Sequence, residues 1–299
     1  MPKVCVVIPT YNRARDLKRC LDSLVLQTFR DFEVRVCDDG STDGSREVAL
    51  SFKDVLDIHY HWAENFGGPA RPRNVGWRMS DAPYVAFLDS DDWWAPEKLE
   101  KSVHALEQGA DFVYHPLWVI SDPNISAKSA LLPVRTLSAP VFDKLLRYGN
   151  CIPNSSVVVK KVFLEVVGGF CEDPAFIAGE DFDCWLRIAR LTDRFTCLAE
   201  APGFYWDGGG NISSHRRMLC VLESFQERYF PSQKLLPFWF LYRQAVALHH
   251  TGRYREAAIC LLGCWQRADS LPDFWNLTKF SLKNLFVWAI HRPSIPDGK

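Results

Sequence analysis

Val4 to Ile8 forms a short, unbroken apolar run. A run of that length suits a strand covered on both faces. Past the PTYN turn, Leu17, Cys20, Leu21, Leu24 and Val25 recur at intervals of three and four, which predicts a helix that buries one stripe. FEVRVCDDGSTDG reads as a second strand ending in a polar turn, with Asp43 or Ser41 placed to cap the next helix. Ile58 to Trp62 is a predicted third strand. Asn65, Gly67, Gly68 and Pro69 then break the chain before a short helix over Arg73 to Met79. YVAFLDSDD is a predicted fourth strand ending in a cluster of acids. Pro96 suits the first turn of the helix that follows, whose Leu99, Val103 and Leu106 share one face.

Alternation of strand and helix implies a mostly parallel, Rossmann-like α/β sheet with right-handed crossovers. Ligands bind such sheets at the carboxyl ends of the strands. Those ends carry Thr10 and Tyr11, then Asp38 and Asp39, then Asp89 and Asp91. Residues from about 110 to 212 are mixed, with a strand-like VVVKK, a GGF turn, a helix in GEDFDCWLRIARL, and a glycine-rich loop over Trp206 to Ser214. From about 215 the pattern is helical, over Leu219 to Tyr229, Trp239 to His250 and a segment after Gly252. That last segment, with Pro272, is similar to half of a tetratricopeptide unit. A single unit makes no solenoid, so residues 216–299 are expected to be a helical appendage to a catalytic domain at 1–215.

Composition narrows the class. The 299 residues are 47% hydrophobic, enough for a sizeable core, and the net charge is −1. No basic excess exists to neutralise a nucleic-acid backbone, so no nucleic-acid partner is expected. The ten cysteines are scattered without a CxxC pair and read as free thiols in a reducing compartment. Without a signal-peptide pattern or an apolar run of about 20 residues, the expected location is cytoplasmic, at most on the inner face of a membrane. His59 and His61 alternate on a strand without an evident carboxylate cluster, so no second metal is expected there.

Asp89-Ser90-Asp91 is the sharpest chemical signal. Alternate residues of a strand share a face, and two hard oxygen ligands at a strand end suit Mn²⁺ or Mg²⁺. The plain alternative is a solvated acidic turn with Asp92 as a helix cap. Asp39, with Asp38 beside it, is placed to accept from a uracil imide or a ribose hydroxyl, or else to close the DDGSTDG turn. Tyr11 is placed to stack on a base while Thr10 hydrogen-bonds. Arg71 and Arg73 in GGPARPRNVG carry the planar fork that matches diphosphate oxygens. Asp181, after Glu180, falls in the first turn of a helix, where an ionised carboxylate is favoured; such a group could act as a general base. Trp93, Trp94, Trp118 and Trp206 read either as core or as a platform for a sugar ring, Trp93 and Trp94 being the strongest platform candidates.

VVIPTYNR, VCDDGSTDGS, GGPARPRNVGW, YVAFLDSDDWWAPEKL, VVGGF and GEDFDCWLRIA occur in one order across residues 1–215. In this the chain resembles family 2 glycosyltransferases, which have the GT-A nucleotide-diphospho-sugar transferase fold. The resemblance implies inverting transfer of a sugar from a nucleotide-sugar to a hydroxyl of a sugar, glycolipid or glycoconjugate. UDP is the preferred nucleotide because a uracil fits the Asp39 and Tyr11 pairing, with dTDP and GDP open. It makes Thr10, Tyr11, Asn12, Asp38 and Asp39 a nucleoside set, and Asp91 the main metal ligand. Asp89 would hold donor or metal, and Arg73 or Arg71 the diphosphate. Asp181 would be the base, with Glu180 against donor or acceptor. His215, after NISS, is a further candidate ligand. PRN stands where the family has alanine-arginine-asparagine, so Arg71 and Arg73 compete for one role.

Two rivals remain open on the sequence. A sugar nucleotidyltransferase would carry a glycine-rich basic loop where PTYNR stands, and would release pyrophosphate. A non-catalytic nucleotide-sugar-binding relative would not hydrolyse any donor. The tail DFWNLTKFSLKNLFVWAIHR mixes Phe, Trp and Leu with basic residues, so the C-terminal helices are candidates for peripheral membrane contact or self-association.

Overall fold

A computed structural model of the protein describes residues 1–121, 130–132, 134–209, 214–232, 235–267 and 277–281. The chain forms two compact units, Met1–Leu145 with Asn150–Ile212, and Leu146–Gly149 with Ser213–Lys299.

The first unit opens β1 (Val4–Thr10), α1 (Ala14–Val25), β2 (Phe32–Asp38), α2 (Ser45–Leu50), β3 (Ile58–Trp62), α3 (Ala70–Arg78), β4 (Tyr84–Phe87). It continues β5 (Trp93–Trp94), α4 (Lys98–Glu107), β6 (Phe112–Tyr114), β7 (Trp118–Ile120), β8 (Ala130–Leu131), with α5 (Val141–Tyr148) following. After these come β9 (Val158–Lys160), α6 (Lys161–Val167), α7 (Glu180–Ala189), β10 (Phe195–Cys197) and β11 (Gly203–Trp206). Seven strands make the central sheet in the order β10-β6-β9-β4-β1-β2-β3. Strands β1 to β4 run parallel. β9 is antiparallel to both its neighbours, and β10 is parallel to β6.

β1 is buried along its whole length, as its unbroken apolar run requires. On α1 the residues Leu17, Cys20, Leu21 and Leu24 are the ones that enter the core. Helix α3 lies very close to the sheet. A Cβ on Gly76 would meet Val7 Cγ1 at 2.5 Å and Cys37 Sγ at 3.1 Å, so only glycine allows this approach. That depth sinks Arg73, nearly one turn upstream, to 4% exposure. Thr10 pairs with Asp38, and Val7 with Phe87, so the carboxyl ends of β1, β2 and β4 lie at one edge.

Two local expectations change. β4 ends at Phe87, so Asp89 and Asp91 lie in a turn closed by Asp92 N–H donating to Asp89 O at 3.0 Å. The cause is Asp92: it is buried, and its Oδ1 accepts from Trp206 N–H at 2.9 Å. That bond draws the chain off the main sheet into a second one, of order β5-β11-β7-β8. Pro96 stands before α4, whose cap is Glu97, and its carbonyl accepts from Thr28 N–H at 2.9 Å. Asp43 serves two helices, since its carboxylate accepts from Ala14 N–H and Ser45 N–H, each at 3.0 Å.

The second unit holds α8 (His215–Tyr229), α9 (Phe238–His250) and α10 (Tyr254–Trp265). Ala245, Leu261, Cys264 and Leu277 form its small core. Trp239 Nε1 donates to Leu146 O at 2.8 Å. Much of the predicted apolar tail, and residues 210–213 of the predicted glycine-rich loop, lie outside the described residues. Among the described residues no helix is long and apolar enough to cross a membrane. Among the described residues no disulfide is formed.

Candidate active site

The β1 and β2 ends build one wall. Asp39 N–H donates to Thr10 O at 2.9 Å, which locks the two strand ends together. Asp38 is buried; its Oδ1 accepts from Ser41 N–H at 2.7 Å and its Oδ2 from the Tyr60 hydroxyl at 2.6 Å. Asn12, at φ +51°, accepts from Thr42 N–H at 2.8 Å, and its own N–H donates to Ser41 Oγ at 2.8 Å. Asp38 and Asn12 therefore brace the loops. Thr10 is buried with its hydroxyl unpartnered, and Tyr11 is 50% exposed. A buried hydroxyl without a partner, beside an exposed ring, is free to hydrogen-bond a ligand. Asp39 accepts from Phe66 N–H at 2.9 Å and Gly67 N–H at 3.2 Å. Burial raises its pKa, and those two donors with the Arg71 charge pull against the rise. Arg71 is exposed and lies 5.2 Å from the Phe66 ring centroid.

The acids converge on Arg73. Its Nη2 donates to Asp89 Oδ1 at 2.7 Å and its Nη1 to Glu180 Oε1 at 2.6 Å. Burial works against the guanidinium charge, but Asp89 and Glu180 outweigh it and raise the pKa. One buried arginine thus ties the turn after β4 to the start of α7. Glu180 is buried too, and its Oε2 accepts from Ala178 N–H at 2.8 Å and Gly179 N–H at 3.1 Å. Those bonds fix the loop before α7 and leave Glu180 as the residue that seats Arg73. Arg71, being exposed, is the arginine of the pair still open to a diphosphate.

Asp181 follows in the first turn of α7, half-buried, with Oδ2 accepting from Asn150 Nδ2 at 3.1 Å. Its pKa is pushed up to about 6 by burial and then by the Glu180 charge, against Arg73. The helix terminus alone would favour the ionised form; burial beside a second carboxylate outweighs it. The result is a carboxylate whose affinity for a proton lies close to neutrality, as a general base requires.

Asp89 also accepts from Asn154 Nδ2 at 3.0 Å, again on Oδ1. Among the described residues Oδ2 takes no hydrogen bond. Asp91 Oδ2 lies 3.6 Å from Arg13 Nη2, and the Asp91 carbonyl accepts from Arg19 Nη2 at 2.6 Å. Burial and the neighbouring Asp89 push the Asp91 pKa up to about 6. Carboxylate oxygens are hard donors, the type that fits a divalent cation such as Mn²⁺ or Mg²⁺.

The tryptophans divide. Trp94 is core, with Nε1 donating to Ser155 O at 2.7 Å. Trp93 stacks on Phe204, with centroids 5.3 Å apart. The Arg19 guanidinium lies 4.2 Å from the Trp93 ring and 4.8 Å from the Trp206 ring. Arg13, Arg19, Asn150 and Asn154 were not singled out from the sequence. Loop asparagines carry no periodic signal, and Arg13 and Arg19 lie outside the apolar stripe of α1.

His59 corrects one expectation. Its Nε2 lies 3.1 Å from Asp57 and 3.6 Å from Glu33, so a carboxylate pair does accompany it. The three meet at the amino ends of β2 and β3, where the register sets His59 opposite Arg35, two residues on from Glu33. That edge is the one away from the other acids. Glu33 is already paired with Arg35 at 2.6 Å. His215 lies in the second unit, its ring stacked on His250 with centroids 4.2 Å apart.

Through Arg73, the acids past the end of β4 and the carboxylates at the start of α7 belong to one polar site. The family model described as glycosyl transferase family 2 matches residues 5–162, and the chain belongs to that family. An uncharacterised glycosyltransferase of Rickettsia felis is 28% identical over 306 residues, covering 97% of this chain and 49% of the relative. The chain thus spans about half the length of such curated relatives. An Escherichia coli UDP-glucose:α-D-GlcNAc-diphosphoundecaprenol β-1,3-glucosyltransferase, WfgD, is 30% identical over 189 residues, 62% of this chain and 70% of the relative. TarS of S. aureus, residues 1–349 with UDP-GlcNAc, superposes with a TM-score of 0.62 at 19% identity, covering 94% of this chain and 81% of that one. The mannosyltransferase PcManGT of Pyrobaculum calidifontis, with GDP-mannose and Mn²⁺, gives 0.59 at 22% identity, covering 97% and 83%. The fold is the GT-A-like α/β architecture of these structures.

Proposed function

We propose that the chain is an inverting, divalent-cation-dependent glycosyltransferase that moves a hexosyl or N-acetylhexosaminyl group from a UDP-sugar to an acceptor hydroxyl. The observation that carries this reading is the buried Arg73 bridge from Asp89 to Glu180, which brings the donor-side acids and the base-bearing helix to one site. Thr10, Tyr11 and Asp39 would bind the nucleoside, and Arg71 the diphosphate. Asp89 and Asp91 would hold Mn²⁺ or Mg²⁺, which when bound offsets the charge on the leaving diphosphate. Asp181 takes the acceptor proton as the hydroxyl oxygen bonds to the anomeric carbon. The bond from that carbon to the diphosphate oxygen breaks on the opposite face, which inverts the centre. Asn150 and Glu180 position the base and Arg73.

The acceptor is proposed to be a sugar hydroxyl on a glycolipid or other glycoconjugate, as in the E. coli relative, with the protein acting on the cytoplasmic side of a membrane. A thermal-shift panel of nucleotide-sugars with and without Mn²⁺ tests the donor assignment. A UDP-sugar is expected to raise the melting temperature most, by mass action, and Asp91→Ala to abolish the Mn²⁺-dependent part. A panel in which no UDP-sugar stabilises the protein refutes it.

A further inference from the structure

Helix α10 is apolar on two faces. Ala257, Leu261 and Cys264 are buried, and Leu261 and Cys264 belong to the second unit's core. On the outer side Ile259 is 68% exposed, Leu262 66% and Trp265 40%. Arg255 and Gln266 are also exposed, and Arg255, Ile259, Leu262 and Gln266 fall at i, i+4, i+7 and i+11, a single stripe of one helix. A helix needs one apolar face to fold onto its neighbours. Among the described residues the second face joins no core, and its exposure costs hydrophobic free energy.

Charge points to the occupant. Residues 213–299 carry twelve Lys and Arg against six Asp and Glu, a net charge of +6, whereas residues 1–212 carry 23 against 30. The positive charge of a protein that is nearly neutral overall is therefore concentrated in the unit that bears the exposed stripe. The acid of α10, Glu256, is held by Arg253, so it does not oppose an anionic partner. An apolar stripe on a unit of net positive charge suits an interfacial helix, where aliphatic side chains enter the headgroup–acyl boundary and cations meet lipid phosphates.

We propose that the outer face of α10 docks on an anionic lipid bilayer, with Ile259 and Leu262 inserting and Arg255 contacting headgroup phosphates. This stands apart from the sugar-transfer reading, because membrane binding is scored without turnover. The test is flotation of the full chain with vesicles of phosphatidylglycerol and phosphatidylcholine, against vesicles of phosphatidylcholine alone. The wild type is expected to float with the anionic vesicles and to be released by high salt. The double variant Ile259→Glu, Leu262→Glu should lose at least about tenfold in vesicle partitioning. Ile259→Ser, Leu262→Ser, checked by an unchanged melting temperature, repeats the loss without added negative charge. A wild type that stays with the soluble fraction overturns the proposal, as does a double variant that floats equally well. So does a dimer in sedimentation velocity that the variant disperses without any vesicle binding, since the stripe would then cover a second copy.

Discussion

Arg73→Met removes the cation that bridges Asp89 and Glu180 while keeping an apolar side chain of similar length. Breaking a buried pair by deleting one partner costs about 3–5 kcal/mol, because an uncompensated charge is left behind. Here the lower end applies. The Asp89 side chain is 30% exposed and keeps Asn154 as a donor, while Glu180 keeps two backbone N–H donors. For a unit of this size each kcal/mol moves the melting temperature by about 2–4 °C, so a fall of roughly 6–12 °C is expected. Calorimetry at about pH 7.5 and again at about pH 5.5 is the assay. The gap between variant and wild type should narrow at the lower pH, where the stranded carboxylates take up protons. Adding Glu180→Gln should then cost less than it does in the wild type, since the two residues share one interaction. A fall under about 2 °C with no pH dependence would show that the bridge is not under load.

Two further outcomes follow from the site. Asp181 must be ionised to accept a proton, and its pKa is pushed up to about 6, so kcat/KM should rise with pH and level off above that value. Asn150→Ala removes a donor that favours the carboxylate and should move the midpoint upward; pH–rate profiles check this, and an unmoved midpoint assigns the limb to another group, such as Asp91. The same raised pKa means that the folded state binds more protons than the unfolded one between the ordinary carboxylate range and about 6, so Asp181's contribution to stability declines as pH rises through that window. Asp39→Asn should weaken UDP binding by roughly tenfold through loss of a charged hydrogen-bond acceptor, read by calorimetric titration; unchanged affinity would remove Asp39 from the nucleoside site.

Much of the site could be read in the chain because its parts sit where strand periodicity stops. Ile58–Trp62 was expected as a strand and is one, and Thr10, Asp39 and the DSD acids fall at strand ends or just past them. The alternation of strand and helix gave the parallel order of β1 to β4. What periodicity could not show is what happens in loops. Nothing in YVAFLDSDD reveals that Asp92 is claimed by Trp206, more than a hundred residues on, and that bond decides where β4 ends. Nothing in GNCIPNSS reveals that Asn150 and Asn154 reach Asp181 and Asp89. The competition between Arg71 and Arg73 is a matter of depth, set by Gly76 against Val7, and depth leaves no trace in local spacing. His59 gained its carboxylate partners through strand register, which pairs Arg35, two residues on from Glu33, with His59 itself.

The most direct test of the chemistry is single-turnover transfer by Asp181→Asn, with the donor affinity measured on the same preparation. Amide for carboxylate preserves shape and removes the proton acceptor, so transfer should slow by about 10²–10⁴-fold while UDP-sugar binding stays within about twofold of wild type. Near-normal transfer by that variant would mean that the proton leaves the acceptor by another route, and the assignment of Asp181 as base would fall.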